Sequence, residues 1–247
     1  MRVRPSFFVL AALAVATATG CGSSSDSEKT ATTAGTPAAT TAATTPDGKP
    51  ATSPVSVLSS SVAVKAGQVD VSLRLRQPSD ADPPIAKTAQ ITLPKGIEWK
   101  GADTPLCDTE TLKGGADACP PGAIIGNGEA IGLTDQAKTI GEITAVNGGK
   151  DDVYLATLVR HPAYVKTVVP AKISESDDGL KLDLTFPKAL QTIAGVPVGL
   201  QQLRLTVKRG PWIVVPDCPD EGWDYDARVS FDDGTQVEHA GKATCSS

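Results

Sequence analysis

The chain has little of what a catalytic or nucleic-acid-binding protein needs. Phe, Trp and Tyr together make up 4% of its 247 residues. With so few aromatics, Trp99, Trp212 and Trp223 read as packing for a core or its ends rather than as a carbohydrate platform. There is no run of Lys or Arg and the formal charge is −5, which excludes the basic footprint of a nucleic-acid binder. Apolar runs fall short of the roughly 20 residues that a membrane helix requires. No C-x-x-C pair is present, and His161 and His239 stand apart from each other, so no zinc site is expected. Neither histidine accompanies a G-x-S-x-G or H-E-x-x-H motif, so both read as solvent-facing. Gly126-Asn127-Gly128 lacks the third glycine of a dinucleotide loop, because Ile131 takes that place. Those glycines read instead as the start of a strand or a bulge.

What is present begins at the N-terminus. Arg2 and Arg4 precede an apolar run over 7–16, and small residues then lead to Cys21. This is the pattern of a secretory leader. Ala18-Thr19-Gly20-Cys21 resembles the lipobox of bacterial lipoproteins, with Ala18 where that family usually has Leu. The resemblance implies a leader over 1–20 that is cut before Cys21. It also implies a diacylglyceryl group on the Cys21 sulfur and anchoring at the extracytoplasmic face of the cell membrane. Losing Arg2 and Arg4 with the leader takes the charge from −5 to −7. Residues 21–54 are nearly all Ser, Thr, Ala, Gly and Pro, without an aromatic. Such a stretch buries too little surface to offset chain entropy and is expected to be a disordered tether.

Of the five cysteines, four remain once Cys21 is assigned to lipid. An even number in an exported chain reads as disulfides. Local pairing is expected, Cys107 with Cys119 and Cys218 with Cys245.

Residues 55–247 show period-two alternation. Val69, Val71, Leu73 and Leu75 share one face of a strand over 68–76. Further strands are expected over 89–93, 128–133, 138–146, 152–159, 166–173, 180–186 and 202–208. Asn147-Gly148-Gly149 and Asp177-Asp178-Gly179 serve as hairpin turns. Leu180, Leu182, Leu184 and Phe186 share a face. Asp108 is placed to cap a helical turn through Leu112 that Gly114-Gly115 ends. A second short helix is expected over 188–194. A hairpin of 225–231 and 235–242 turns at Asp232-Asp233-Gly234. The expected fold is an all-β antiparallel sandwich with few short helical turns, and its C-terminal hairpin, within 211–247, is closed by a disulfide. Asp217, Asp220, Glu221, Asp224 and Asp226 around Trp223 read as a solvated acidic loop, since their spacing does not match a calcium loop.

The succession ITLPKGIEW, PLCDTETL, CPPGAIIGNGEA, GLKLDLTF and LRLTVKRGPWIVVPDCP, with a closing hairpin that ends in Cys, is similar to a β-rich module of exported actinobacterial proteins. The resemblance covers most of 55–245. It implies the same local cysteine pairing and carries no activity. The function expected is therefore that of a non-enzymatic, lipid-anchored envelope module without a cofactor. Its partners are the membrane through Cys21 and an envelope protein or glycan, not nucleic acid. The alternatives are a carrier of lipid or another apolar ligand between the two sheets, and a hydrolase whose site residues are scattered in sequence.

Overall fold

The computed structural model describes residues 57–65, 67–76, 84–134, 137–208, 210–217, 219 and 222–246. The leader, Cys21, the 21–54 stretch, Cys218, Asp220 and Glu221 lie outside the described residues.

The elements in order are β1 (Val57–Lys65), β2 (Gln68–Arg76), β3 (Ala86–Leu93), β4 (Glu98–Trp99), α1 (Thr109–Gly114), β5 (Ile124–Leu133), β6 (Lys138–Asn147), β7 (Asp152–Val159), β8 (Val165–Ser176) and β9 (Gly179–Thr185). There follow α2 (Lys188–Gln191), β10 (Thr192–Ile193), β11 (Val196–Pro197), β12 (Gly199–Lys208), β13 (Ile213–Val214), β14 (Trp223–Phe231) and β15 (Gln236–Ser246). The expected alternation is present: Val69, Val71, Leu73 and Leu75 are all buried, as are Leu180 and Leu184. The C-terminal hairpin also forms about its Asp232-Asp233-Gly234 turn.

The sandwich expectation is corrected. The strands form one closed barrel in the order β1-β15-β14-β3-β9-β8-β7-β6-β5-β12-β2. Alternation fixes which residues share a face, but a face can be buried against a second sheet or against its own sheet curled round. Here the sheet curls. An odd ring of strands cannot run antiparallel at every contact, so a parallel pair must occur. That pair is β1 with β15, joined at Ala63↔Thr244, Val64↔Cys245 and Lys65↔Ser246. The hairpin expected as a C-terminal appendage is thus part of the wall, with β14 on β3 and β15 on β1.

The corner that allows closure lies between β5 and β12. Paired residues face the same side of a sheet. Gly126, Gly128, Ala130 and Gly132 pair with Ala145, Ile143, Gly141 and Thr139 of β6, and so line the inner face of β5. A Cβ on Gly126 or Gly128 would stand 2.2 Å from the carbonyl oxygen of Thr206 or Arg204 on β12. Only glycine lets one backbone fold so steeply over its neighbour. A bulge between Ile124 and Gly126 adds to the bend, as the sequence reading of these glycines expected. The outward positions carry charge, among them Arg74, Lys172, Asp183 and Arg228, the reverse of the apolar-out pattern of a membrane-spanning barrel. No helix among the described residues is long and apolar enough to cross a membrane.

One end of the barrel is filled. The short β4–β13 pair lies there, and Ile97, Ile213 and Val215 join the core with Trp99 and Trp212 packed against it. Trp223 opens β14 at the same end and is buried. The tryptophans therefore pack the barrel's end, as their scarcity suggested.

Outside the wall, residues 100–123 form a flap. Asp108 caps α1, its Oδ1 accepting from the Thr111 N–H at 2.7 Å, and Gly115 follows the helix with φ of 121°. Cys107 and Cys119 are bonded, their Cα atoms 5.4 Å apart. Cys107, Leu112 and Ala123 pack with Val146 of β6. Cys245 is also disulfide-bonded, whereas Cys218, its expected partner, lies outside the described residues. Closing a loop with a sequence separation of 12 stabilises by roughly 3 kcal/mol on a chain-entropy basis. Replacing Cys107 and Cys119 together by serine is expected to lower unfolding free energy by about that amount. Amide exchange should locate the change: protection in α1 falls to that of an open loop, while the barrel strands keep theirs.

Candidate functional site

The other end of the barrel holds an apolar cavity beneath a lid. After β9, the chain reaches Phe186 and crosses the barrel mouth as α2 and the β10–β11 hairpin, returning at β12. The expected 188–194 helix is shorter than predicted. Only Lys188–Gln191 is helical, because Thr192 and Ile193 turn to pair with Pro197 and Val196. The turn between them is Ala194-Gly195, with φ of 53° and 82°. Two left-handed residues in succession are the conformation of a tight two-residue hairpin, and a non-glycine residue adopts it at a cost.

The lid is held mainly by apolar contact. Ile193 and Val198 are buried and pack with Val159, while Leu190, Ala163 and Val165 adjoin them. Its polar ties are the Gln191 Nε2 donating to the Phe186 carbonyl at 2.7 Å and the Val198 N–H donating to the Gln191 carbonyl at 2.9 Å. Val198 sits over Gly132, where a Cβ would come within 2.5 Å of its Cγ1. The lid therefore rests on a glycine of the same inner stripe that forms the β5–β12 corner.

Beneath it lies a cavity of about 60 Å³. The stripe explains the space. Ala130, Gly132 and Gly141 put almost no side chain inward, so the layer below the lid is left unfilled. Ile143, Leu155, Val169 and Leu203 form the floor and walls. The Thr157 hydroxyl donates to the Leu155 carbonyl at 3.2 Å, so that wall is effectively apolar. Thr139 is also buried, and nothing among the described residues hydrogen-bonds its hydroxyl. An apolar space with one unspent hydroxyl suits a hydrocarbon that carries a polar atom.

No family model, curated protein or solved structure matches the chain.

The structure also brings together residues that the sequence kept apart. His239, expected to face solvent alone, is half-buried on the inner face of β15, and its Nδ1 lies 2.8 Å from the Ser60 Oγ of β1. Tyr225 reaches across Gly241 to donate its hydroxyl to the Ser60 carbonyl at 2.6 Å. Burial holds the Tyr225 phenol above its usual range, with the bond to Ser60 acting the other way. A serine hydroxyl on an imidazole is half of a nucleophile–base pair. Among the described residues no carboxylate bonds to His239 to orient it. The three side chains instead clamp the part of the β1–β15 seam that lies beyond its three-residue ladder.

His161 is exposed in the β7–β8 connection. Of the acidic cluster, Asp224 pairs with Lys242 at 2.8 Å and Asp226 accepts from the Thr92 hydroxyl at 3.2 Å. No metal-holding group occurs among the described residues. No periodic signal marked the lidded mouth, since its lining comes from six barrel strands and the lid. The signal that could have found it is the inward stripe of small residues from Gly126 to Gly132.

Proposed function

We propose that this chain is a non-enzymatic envelope module, moored through Cys21, whose barrel takes an apolar group such as the end of an acyl chain into its lidded mouth. The observation that carries the reading is the apolar cavity beneath the lid, with the Thr139 hydroxyl unspent beside it. Its size is well below that of a drug-sized pocket. A terminal few methylenes fit as it stands, and a longer chain enters as the lid lifts. Lifting breaks the apolar contacts of Ile193 and Val198 but no strand ladder of the wall, so the opening is local. Each buried methylene of a ligand contributes about 0.8 kcal/mol, which gives micromolar affinity from a modest chain.

Native mass spectrometry of the chain from its own cells is expected to show retained lipid, and a fluorescent fatty acid is expected to be displaced by unlabelled chains. Gly141→Leu fills the cavity from within. Its first carbon meets side chains rather than backbone: Thr157 at 3.2 Å, Val159 at 3.5 Å and Ala130 at 3.9 Å. That variant should keep its circular dichroism and lose probe affinity by at least roughly tenfold, the value of about two methylenes. An empty wild-type chain, or equal binding by Gly141→Leu, overturns the reading.

A further inference from the structure

We propose that the tip of the lid docks on a lipid bilayer, so that the mouth opens against the membrane. This inference rests on the cavity reading for its purpose but on separate observations for its geometry.

The first observation is composition. From Ala189 to Leu203 the sequence runs through fifteen positions, ALQTIAGVPVGLQQL, without a charged residue. Its outer residues are solvent-exposed: Ala194, Gly195, Val196 and Pro197 form the hairpin tip, with Val196 at 37%. A turn usually takes polar residues. This one presents a methyl group, a branched side chain and a proline ring, the kind of small apolar wedge that enters the boundary between headgroups and acyl chains.

The second observation is where the chain outside the structure arrives. β1 begins at Val57, and it pairs with Arg76, the last residue of β2. The end of β2 lies beside the beginning of β12, which is where the lid returns to the wall. The segment that precedes β1 thus reaches the barrel at the lidded end, not at the end closed by Trp99 and Trp212. The anchor expected at Cys21 is therefore joined to the barrel at its lidded end.

These two observations place one uncharged tip at the end where the chain from the expected anchor enters the barrel. The chain's net negative charge opposes general adsorption to anionic surfaces. Contact through the tip therefore sets an orientation rather than adding bulk affinity.

The test uses the full mature chain with its acyl group, placed in vesicles of phosphatidylcholine and phosphatidylglycerol in equal parts. An environment-sensitive NBD label is attached at Ala194→Cys, and in a second preparation at Lys150→Cys, in the exposed turn at the opposite end. A nitroxide-bearing lipid is expected to quench the label at 194 several-fold more than the label at 150. Val196→Asp should bring the two to the same level. Equal quenching at both positions, or quenching at 194 that survives Val196→Asp, overturns the proposal. An unlipidated chain added to the same vesicles is read the same way, since the tip is then the contact under test. Fatty-acid displacement without vesicles is measured on the same chains. Displacement that fails there while the label at 194 is still quenched counts against the cavity alone, so an empty cavity and an undocked tip are separate failures.

Discussion

Gly128→Ala is expected to destabilise the barrel by more than about 4 kcal/mol, beyond the range of ordinary point substitutions. The new Cβ would stand 2.2 Å from the Arg204 carbonyl oxygen and 3.2 Å from both the Arg204 carbonyl carbon and the Leu205 Cα. All three are backbone atoms, so no rotamer change removes the contact. β12 has to lift off β5, against eight paired positions between them and a full ladder with β2 on its other side. Gly126→Ala meets the Thr206 carbonyl at the same 2.2 Å and should behave alike. Gly141→Ala is the control. It adds the same methyl to an inward glycine of the adjoining strand, but the nearest atom is the Thr157 methyl at 3.2 Å. A side-chain methyl can give way, so the change should cost less than about 1 kcal/mol. Urea unfolding of the three variants decides it. Similar small shifts in all of them would mean that the β5–β12 corner is not what closes the ring.

That contrast shows what the sequence could and could not convey. Period-two patterning is local, and it placed β2, β7, β9 and the β14–β15 hairpin because each sets alternate residues toward the core. The turns at Asn147-Gly148-Gly149 and Asp177-Asp178-Gly179 were legible because left-handed backbone demands glycine, and Gly149 and Gly179 do have φ of 123° and 136°. β1 was not predicted. Its Ser59-Ser60-Ser61 run interrupts the apolar alternation, since the inward position at Ser60 is spent on His239 and Tyr225 rather than on packing. Closure was illegible for a different reason. It depends on β12 lying between β2 and β5, and on β15 reaching β1, pairings between segments far apart in the chain. The glycines that permit it occupy the same positions a phosphate loop would, and only their neighbours across the sheet tell the two apart.

The candidate site follows the same rule. Asp108 and Gly115 could be read because a cap acts within one helical turn. The cavity could not, because it is a space left by small residues whose absence of bulk becomes visible only once the facing strands are in place. The lid fell between. Its apolar content was plain, but the helix expected there ends at Gln191 since the hairpin of Ile193 with Val196 and the burial of Ile193 and Val198 outweigh a two-turn helix of marginal length.

Asn147 offers the second large effect, and one whose pH dependence identifies its cause. The residue is fully buried. Its Nδ2 donates to the Gly101 carbonyl at 2.9 Å, the Thr104 hydroxyl at 2.8 Å and the Pro105 carbonyl at 2.9 Å, and its Oδ1 accepts from the Gly149 N–H at 3.0 Å. Its backbone completes the junction: its N–H donates to the Ala123 carbonyl at 2.8 Å, and its carbonyl accepts from the Cys107 N–H at 2.9 Å. One amide therefore ties the flap to the β6–β7 hairpin. Asn147→Leu keeps the volume and takes that donor from the Thr104 hydroxyl and the Pro105 carbonyl and the acceptor from the Gly149 N–H, at a cost of about 3 kcal/mol or more. Asn147→Asp does something further. A carboxylate has no donor to offer, and it would sit among three oxygen atoms away from water, so the folded protein favours its protonated form and raises its pKa above the unfolded value near 3.9. A carboxyl group raised in this way leaves the folded state binding more protons than the unfolded state, so stability falls as pH rises from the unfolded pKa through the folded one. The deficit of Asn147→Asp relative to wild type should be small near pH 4, where the group is protonated and donates one hydrogen bond. It should grow to at least the cost of Asn147→Leu by about pH 7. The Asn147→Leu deficit should not change with pH. Unfolding curves of both variants against wild type across that range separate the two behaviours. A deficit for Asn147→Asp that stays flat with pH would show that the amide nitrogen is not the donor the flap depends on.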